Sequence, residues 1–231
     1  MPPEQRSSGV PPAALDLPQL LRQGVAELGL TLDASTLQRL LDYLALLRKW
    51  NAVYNLTAVR EPEQMLIQHL LDSLAIIPSL RRLVDLDQAS VADVGSGAGL
   101  PGIPLAIVHP TARVLSIEPV GKKTAFQRQV CSELALTNIN VYTGRAESLS
   151  TPCDIVICRA FASLVDFVDT AAGLTGPATL LVAMKGQRNG IDAEIAALGA
   201  GFTVEVEPLR VPFLPAERHL VLMRRTDPCL A

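Results

Sequence analysis

The feature that most constrains this chain is the string Asp93-Val-Gly-Ser-Gly-Ala-Gly-Leu-Pro-Gly102. It completes the short apolar run Val91-Ala-Asp-Val94 and leads into Ile103-Pro-Leu-Ala-Ile107. A strand that ends in closely spaced glycines and then opens a helix is the ligand-binding corner of an open α/β sheet. The glycines let the backbone turn tightly and leave bare main chain against a ligand. The pattern downstream agrees. Strands are predicted over 113–118, 139–142, 154–158 and 178–184, alternating with helices over 122–136, 163–172 and 191–198. Strands over 202–206 and 219–224 follow, with no helical pattern between them. This alternation predicts a doubly wound α/β sheet of seven strands, the last two an antiparallel addition.

Upstream the period is helical. Leu37, Leu40, Leu41, Leu44 and Leu47 share one face, with Arg39, Asp42, Arg48 and Lys49 on the other, and Asp33 is placed to cap that helix. Another helix is predicted over 63–77, with Pro78 just after it. The expected organisation is therefore a Pro- and Ser-rich mobile tail over 1–15, a helical extension over 16–88 and a sheet domain over 89–231. Apolar residues make up 49% of the chain, enough for a substantial core. The longest charge-free stretch in the C-terminal half, 170–184, contains Gly173, Gly176 and Pro177 and is too short to span a membrane. Twenty Lys and Arg against 23 Asp and Glu give a net charge of −3, so any nucleic-acid contact must come from a local patch. Cys131, Cys153, Cys158 and Cys229, with His69, His109 and His219, lack metal-ligand spacing and read as free thiols and ordinary histidines. No secretory address is visible at the N-terminus, and a cytoplasmic, monomeric protein without a metal is expected.

Two acids indicate what the glycine corner holds. Gly97-x-Gly99-x-x-Gly102 formally matches a dinucleotide fingerprint, a weak signal alone. Asp93 places a carboxylate beneath the loop, where it repels a pyrophosphate but suits a cationic ligand such as a sulfonium amino acid. Glu118 ends the second strand, where a carboxylate can accept hydrogen bonds from both ribose hydroxyls.

The chain resembles the glucose-inhibited division protein B family, the small-subunit ribosomal RNA methyltransferase G enzymes. The resemblance is carried by the long glycine string, Lys49-Trp-Asn-Ala-Val-Tyr-Asn-Leu-Thr57, His69-Leu-Leu-Asp-Ser-Leu74, Gly144-Arg-Ala-Glu147, Arg159-Ala-Phe-Ala162 and Met184-Lys-Gly186, between about residues 37 and 224. Glu118-Pro119 departs from it, because the family often has Asp and a small residue there. The resemblance implies a class I S-adenosylmethionine-dependent methyltransferase with a Rossmann-like seven-stranded sheet. It implies methylation of one guanine at N7 in 16S ribosomal RNA, on the small ribosomal subunit or its assembly intermediate. By motif matching, the cofactor contacts fall on Gly95, Leu100, Ala146, Glu147 and Arg159, joining Asp93, Gly97, Gly99 and Glu118.

Guanine N7 carries a lone pair and no proton, so its methylation needs placement and exclusion of water rather than a general base. Neither an Asp/Asn-Pro-Pro-aromatic motif nor a Pro-Cys nucleophile follows the fourth strand. Cys153 precedes that strand, and Cys158 lacks the proline. Arg159 is a candidate to orient guanine O6 or to bind the cofactor, unless it pairs with Asp93 or Glu147. Lys122, Lys123, Arg128, Arg145, Lys185 and Arg188 form the basic edge, with Lys185 and Arg159 the leading RNA candidates. Trp50, Tyr54 and Asn55 offer a wall against RNA, though Trp50 and Tyr54 read better as anchors between helices and sheet. His69 reads as a packing or hydrogen-bonding residue rather than an acid–base catalyst. An NAD-linked oxidoreductase, an RNA-binding assembly module and a small-molecule methyltransferase are the rivals.

Overall fold

The computed structural model describes residues 16–226. The expected tail over 1–15, Cys229 and the last five residues of the 89–231 domain lie outside them. Seven strands form: β1 (Ser90–Val94), β2 (Arg113–Glu118), β3 (Ile139–Thr143), β4 (Cys153–Arg159), β5 (Thr175–Lys185), β6 (Phe202–Pro208) and β7 (His219–Arg225). They make one sheet in the order β3-β2-β1-β4-β5-β7-β6. β1 to β5 are parallel, and β7 inserts antiparallel between β5 and β6. The chain winds outward from β1 to β3, then returns to place β4 on the other side of β1. That reversal opens a crevice at the C-terminal ends of β1 and β4, where such sheets bind ligands.

Helices cover both faces, which explains why the central strands are nearly continuous apolar runs. Ile155, Ile157, Leu180 and Val182 point into one core, and their neighbours Val156, Cys158, Leu181 and Ala183 into the other. The first core is closed by α6 (Gly102–Val108), α7 (Gly121–Glu133) and the N-terminal helices, the second by α8 (Leu164–Thr170) and α9 (Ile191–Leu198). The N-terminal helices are α1 (Leu17–Glu27) and α2 (Ala34–Tyr54), then α3 (Pro62–Met65), a π-helical turn (Leu66–Leu71), α4 (Asp72–Leu74) and α5 (Ile77–Arg81). Their leucines share one apolar core with Val91, Val114 and Ile155 of the sheet. Asp33 caps α2 as expected, its Oδ1 accepting from the Thr36 amide at 2.6 Å.

The helix expected over 63–77 needs correction. Its apolar face is continuous, but it relaxes into a π-helical turn at Leu66–Leu71 and ends at Leu74. Pro78 does not follow the last helix; it sits in the first turn of α5, where its missing N–H has no helical partner to lose. Tyr54 is also no core anchor. Tyr54 is the last residue of α2, 42% exposed and packed on half-buried Trp50, which itself packs on Phe126.

Candidate active site

The glycine corner is built from four elements. β1 delivers Asp93, and the chain then turns through Gly95 to Gly99. Gly97 has φ +60, and a Cβ there would meet nothing within 4 Å, so the loop is open on that side. Gly99, at φ +87, could not carry a Cβ without driving it into the Ile103 side chain. The sheet ties the loop down, because the Gly95 and Ser96 amides both donate to the Ile117 carbonyl. Glu118 follows, its Oε2 accepting from the Gly97 amide at 2.8 Å and its Oε1 from the Val120 amide at 3.0 Å. It is buried, with Lys123 Nζ 3.8 Å away.

Two supports of this loop carry no sequence signature. Gln127 of α7 is fully buried. Its Nε2 donates to Ser96 Oγ and to the Gly97 carbonyl, both at 2.8 Å, while Ser116 Oγ donates to its Oε1 at 2.6 Å. Tyr43 of α2 is also fully buried and donates to the Ala98 carbonyl at 2.9 Å. The hydroxyl of a tyrosine on an apolar helix face gives no hint of its partner before the helix docks.

Asp93 is fully buried. Its Oδ2 accepts from the Gly102 amide at 2.8 Å, and its Oδ1 has no partner. Burial pushes its carboxyl up to about 7, against the Gly102 hydrogen bond and the charge of Arg159, which pull it down. An unpartnered buried acceptor under an open glycine loop suits a ligand that brings a cation, and so fits S-adenosylmethionine.

Two cavities flank the loop after β4. One, of about 220 Å³, is lined by Gly95, Ile117, Pro119, Gly144, Arg145, Ala146, Glu147 and Phe161. It therefore joins Gly95, Ala146 and Glu147 of the expected cofactor set with Arg145. The other, of about 380 Å³, is lined by Gln68, His69, Asp72, Arg159, Ala160, Met184, Lys185, Gly186 and Arg218. Ala160, on this second wall, has φ +61, a conformation costing a side-chain-bearing residue roughly 1–2 kcal/mol. Strain of this kind gathers at functional sites.

The acid beside Arg159 is neither Asp93 nor Glu147 but Asp72, whose Oδ2 lies 3.4 Å from Arg159 Nη1. The two residues are 87 apart in sequence, so only docking of the helices reveals the pair. Arg218, on the far side of the same carboxylate, was outside the expected set altogether. Lys185 is only 11% exposed at its side chain; its Nζ pairs with Glu194 at 2.7 Å and donates to the Phe161 carbonyl at 3.3 Å. Arg188 pairs with Asp192, and Lys122 donates to the Tyr54 carbonyl. Arg145 is exposed.

Cys158 is buried near the end of β4, and burial pushes its thiol well above the ordinary range. Cys153 is buried at the strand's start. Burial first, and Arg159 second, lower His69 to about 4, and its Nε2 lies 2.8 Å from Thr57 Oγ1. Among the described residues no helix is long and apolar enough to cross a membrane.

A mixed sheet with a switch point among its five parallel strands, a glycine corner backed by two acids and an apolar cavity beside it define an S-adenosylmethionine-dependent methyltransferase. The fold agrees with a solved S-adenosylmethionine-dependent methyltransferase from Aquifex aeolicus, at TM-score 0.54 and 16% identity, over 70% of this chain and 93% of that one. A family model described as rRNA small subunit methyltransferase G matches residues 36–221. The ribosomal RNA small subunit methyltransferase G of Azoarcus sp. (strain BH72) is 50% identical over 208 residues, 89% of this chain and 95% of that protein. Its counterpart in Burkholderia vietnamiensis is 52% identical over 212 residues, 89% of this chain and 91% of that protein. The chain belongs to the rRNA small subunit methyltransferase G family.

Proposed function

We propose that this enzyme methylates N7 of one guanine in 16S ribosomal RNA by direct in-line transfer, with no general base and no covalent RNA intermediate. S-adenosylmethionine, when bound, supplies an electrophilic sulfonium methyl group. Asp93 and the Gly95–Gly99 turn would hold its amino-acid end, Glu118 its ribose, and Leu100 with Ala146 and Glu147 the remainder, leaving Arg159 for the incoming base. The observation that carries the chemical reading is what surrounds the strand ends. The nearest thiol, Cys158, is buried and held protonated. The imidazole lining the larger cavity, that of His69, is a weak base engaged with Thr57. Asp72 is held between two arginines. Neither the thiol, the imidazole nor Asp72 is poised to take a proton or attack carbon, and Asp93 is assigned to the cationic end of the methyl donor, whereas a guanidinium can hold guanine O6 beside N7. The same reading makes the small ribosomal subunit or its assembly intermediate the partner, and the enzyme a cytoplasmic monomer.

The test is to incubate the protein with labelled S-adenosylmethionine and small ribosomal subunits, and to map the label. One guanine should carry it at N7. Label on a pyrimidine carbon or an exocyclic amine, or a trapped RNA–cysteine adduct, rules the reading out.

A further inference from the structure

Asp72 has no part in the chemistry above, yet its placement is specific. It is 2% exposed and begins the α-helical stretch directly after the π-helical turn. Its oxygens serve different partners: Oδ1 accepts from Arg218 Nε at 3.0 Å, and Oδ2 from Arg159 Nη1 at 3.4 Å. Arg159 Nη1 also donates to the Gln68 carbonyl at 3.2 Å, within the π-helical turn. A π-helical turn inside an α-helical run often marks a functional site, because it re-aims carbonyls and side chains. Here it delivers both a carbonyl and a carboxylate to Arg159.

The two arginines come from the end of β4 and the residue before β7, and each side chain is 26% exposed. Both line the cavity of about 380 Å³. Lys185, on the same wall, is matched by Glu194. The wall therefore presents two guanidiniums against one carboxylate, a surplus of one positive charge in a partly buried place. Such a surplus suits a phosphate-bearing nucleotide, and a guanidinium held from behind keeps its remaining N–H groups free to recognise it.

Resting on the rRNA-methylation reading, we propose that Asp72 is a positioning residue. It holds Arg159 and Arg218 as a fixed pair against the target nucleotide, and it cancels one of their two charges. Orientation is gained where electrostatic affinity for RNA is given up. The two effects have opposite signs, and that makes them separable.

The experiment compares wild type, Asp72→Asn and Arg218→Gln. Affinity for a 16S-derived RNA oligonucleotide is measured across a salt series, and the single-turnover methylation rate on saturating small subunits is measured alongside. For Asp72→Asn the RNA affinity should hold or rise and the log–log salt slope steepen by up to about 0.7, the contribution of one charge on single strands. Its turnover should fall roughly 10–100-fold, the scale of a misplaced orienting group. S-adenosylmethionine affinity should stay within about twofold. Arg218→Gln should lower RNA affinity and flatten the slope by about 0.7. A merely structural Asp72 would lose RNA affinity and turnover together, and that result overturns the proposal, as does an unchanged rate. If Asp72→Asn does not fold, the slope of Arg218→Gln decides: a wild-type slope overturns the proposal, a flatter one supports it. If the wild type itself leaves no methyl on ribosomal RNA, the functional reading fails separately, while slopes moving in opposite directions still support the charge balance at Asp72.

Discussion

Asp93 should make the stability of the ligand-free enzyme fall as pH rises from about 4 to about 7. Its carboxyl is fully buried, receives one hydrogen bond and leaves one oxygen unpartnered. Burial raises it from the ordinary 3.8 to about 7. A carboxyl raised on folding contributes stability that is fully present below about pH 4, where both folded and unfolded chains hold the proton. That contribution is lost as pH climbs through about 7, where the folded chain ionises last. The difference between the two values corresponds to about 4 kcal/mol, an upper bound because a relaxing loop or an entering water would reduce it. Other groups titrate in this window, so the informative quantity is the difference between wild type and Asp93→Asn. Urea denaturation at half-unit steps from pH 4 to pH 8 should find the two within about 1 kcal/mol at the acid end. Asp93→Asn should pull ahead by several kcal/mol at the alkaline end. Saturating S-adenosylmethionine should flatten the wild-type curve, because its cationic end favours the ionised carboxylate. A wild-type-minus-variant difference that stays level from pH 5 to pH 8 would refute the argument.

Removing the Tyr43 hydroxyl with Tyr43→Phe leaves the Ala98 carbonyl without its buried donor, and should cost about 1–3 kcal/mol in denaturant unfolding; a loss below 0.3 kcal/mol would show that the bond does not matter. Glu118→Ala should weaken S-adenosylmethionine by roughly 1–3 kcal/mol in calorimetry, since the carboxylate also holds the Gly97 amide in place. Gly97→Leu combines positive φ with a side chain in the open space over the loop; it should abolish cofactor binding, with far-UV circular dichroism of the helices retained. Cys158→Ser should keep single-turnover methylation within about threefold, given a buried thiol held protonated, and a dead variant with an intact thermal transition would restore a role for that sulfur.

The glycine corner was legible because its logic is local. Asp93, the glycines and Glu118 sit at fixed offsets from strand ends, and a strand, a turn and a helix impose their residue types within ten positions or so. The strands were legible for the same reason: β2 falls on 113–118 as expected, and the irregular stretch between β6 and β7 on the segment without helical pattern. The helix over 63–77 was legible only in outline. Its leucine period is the same for an α-helical and a π-helical turn, and the choice between them depends on what the carbonyls meet.

The sequence by itself determined the sheet, its glycine turn, the two acids beside that turn and the family. What only the tertiary structure decided is which charges are free and which are already matched. Lys185 and Arg159 read alike in the chain, as cations after neighbouring strand ends, yet Lys185 is nearly closed off by Glu194 while Arg159 shares Asp72 with Arg218. Tyr43 and Gln127 brace the glycine turn from helices that lie far from it along the chain. Local periodicity reports backbone conformation and burial, because those are set by neighbours a few residues away. Pairing between groups separated by 55, 87 or 146 residues comes into being only when layers dock. A carboxylate carries no sequence mark of the arginines it will meet.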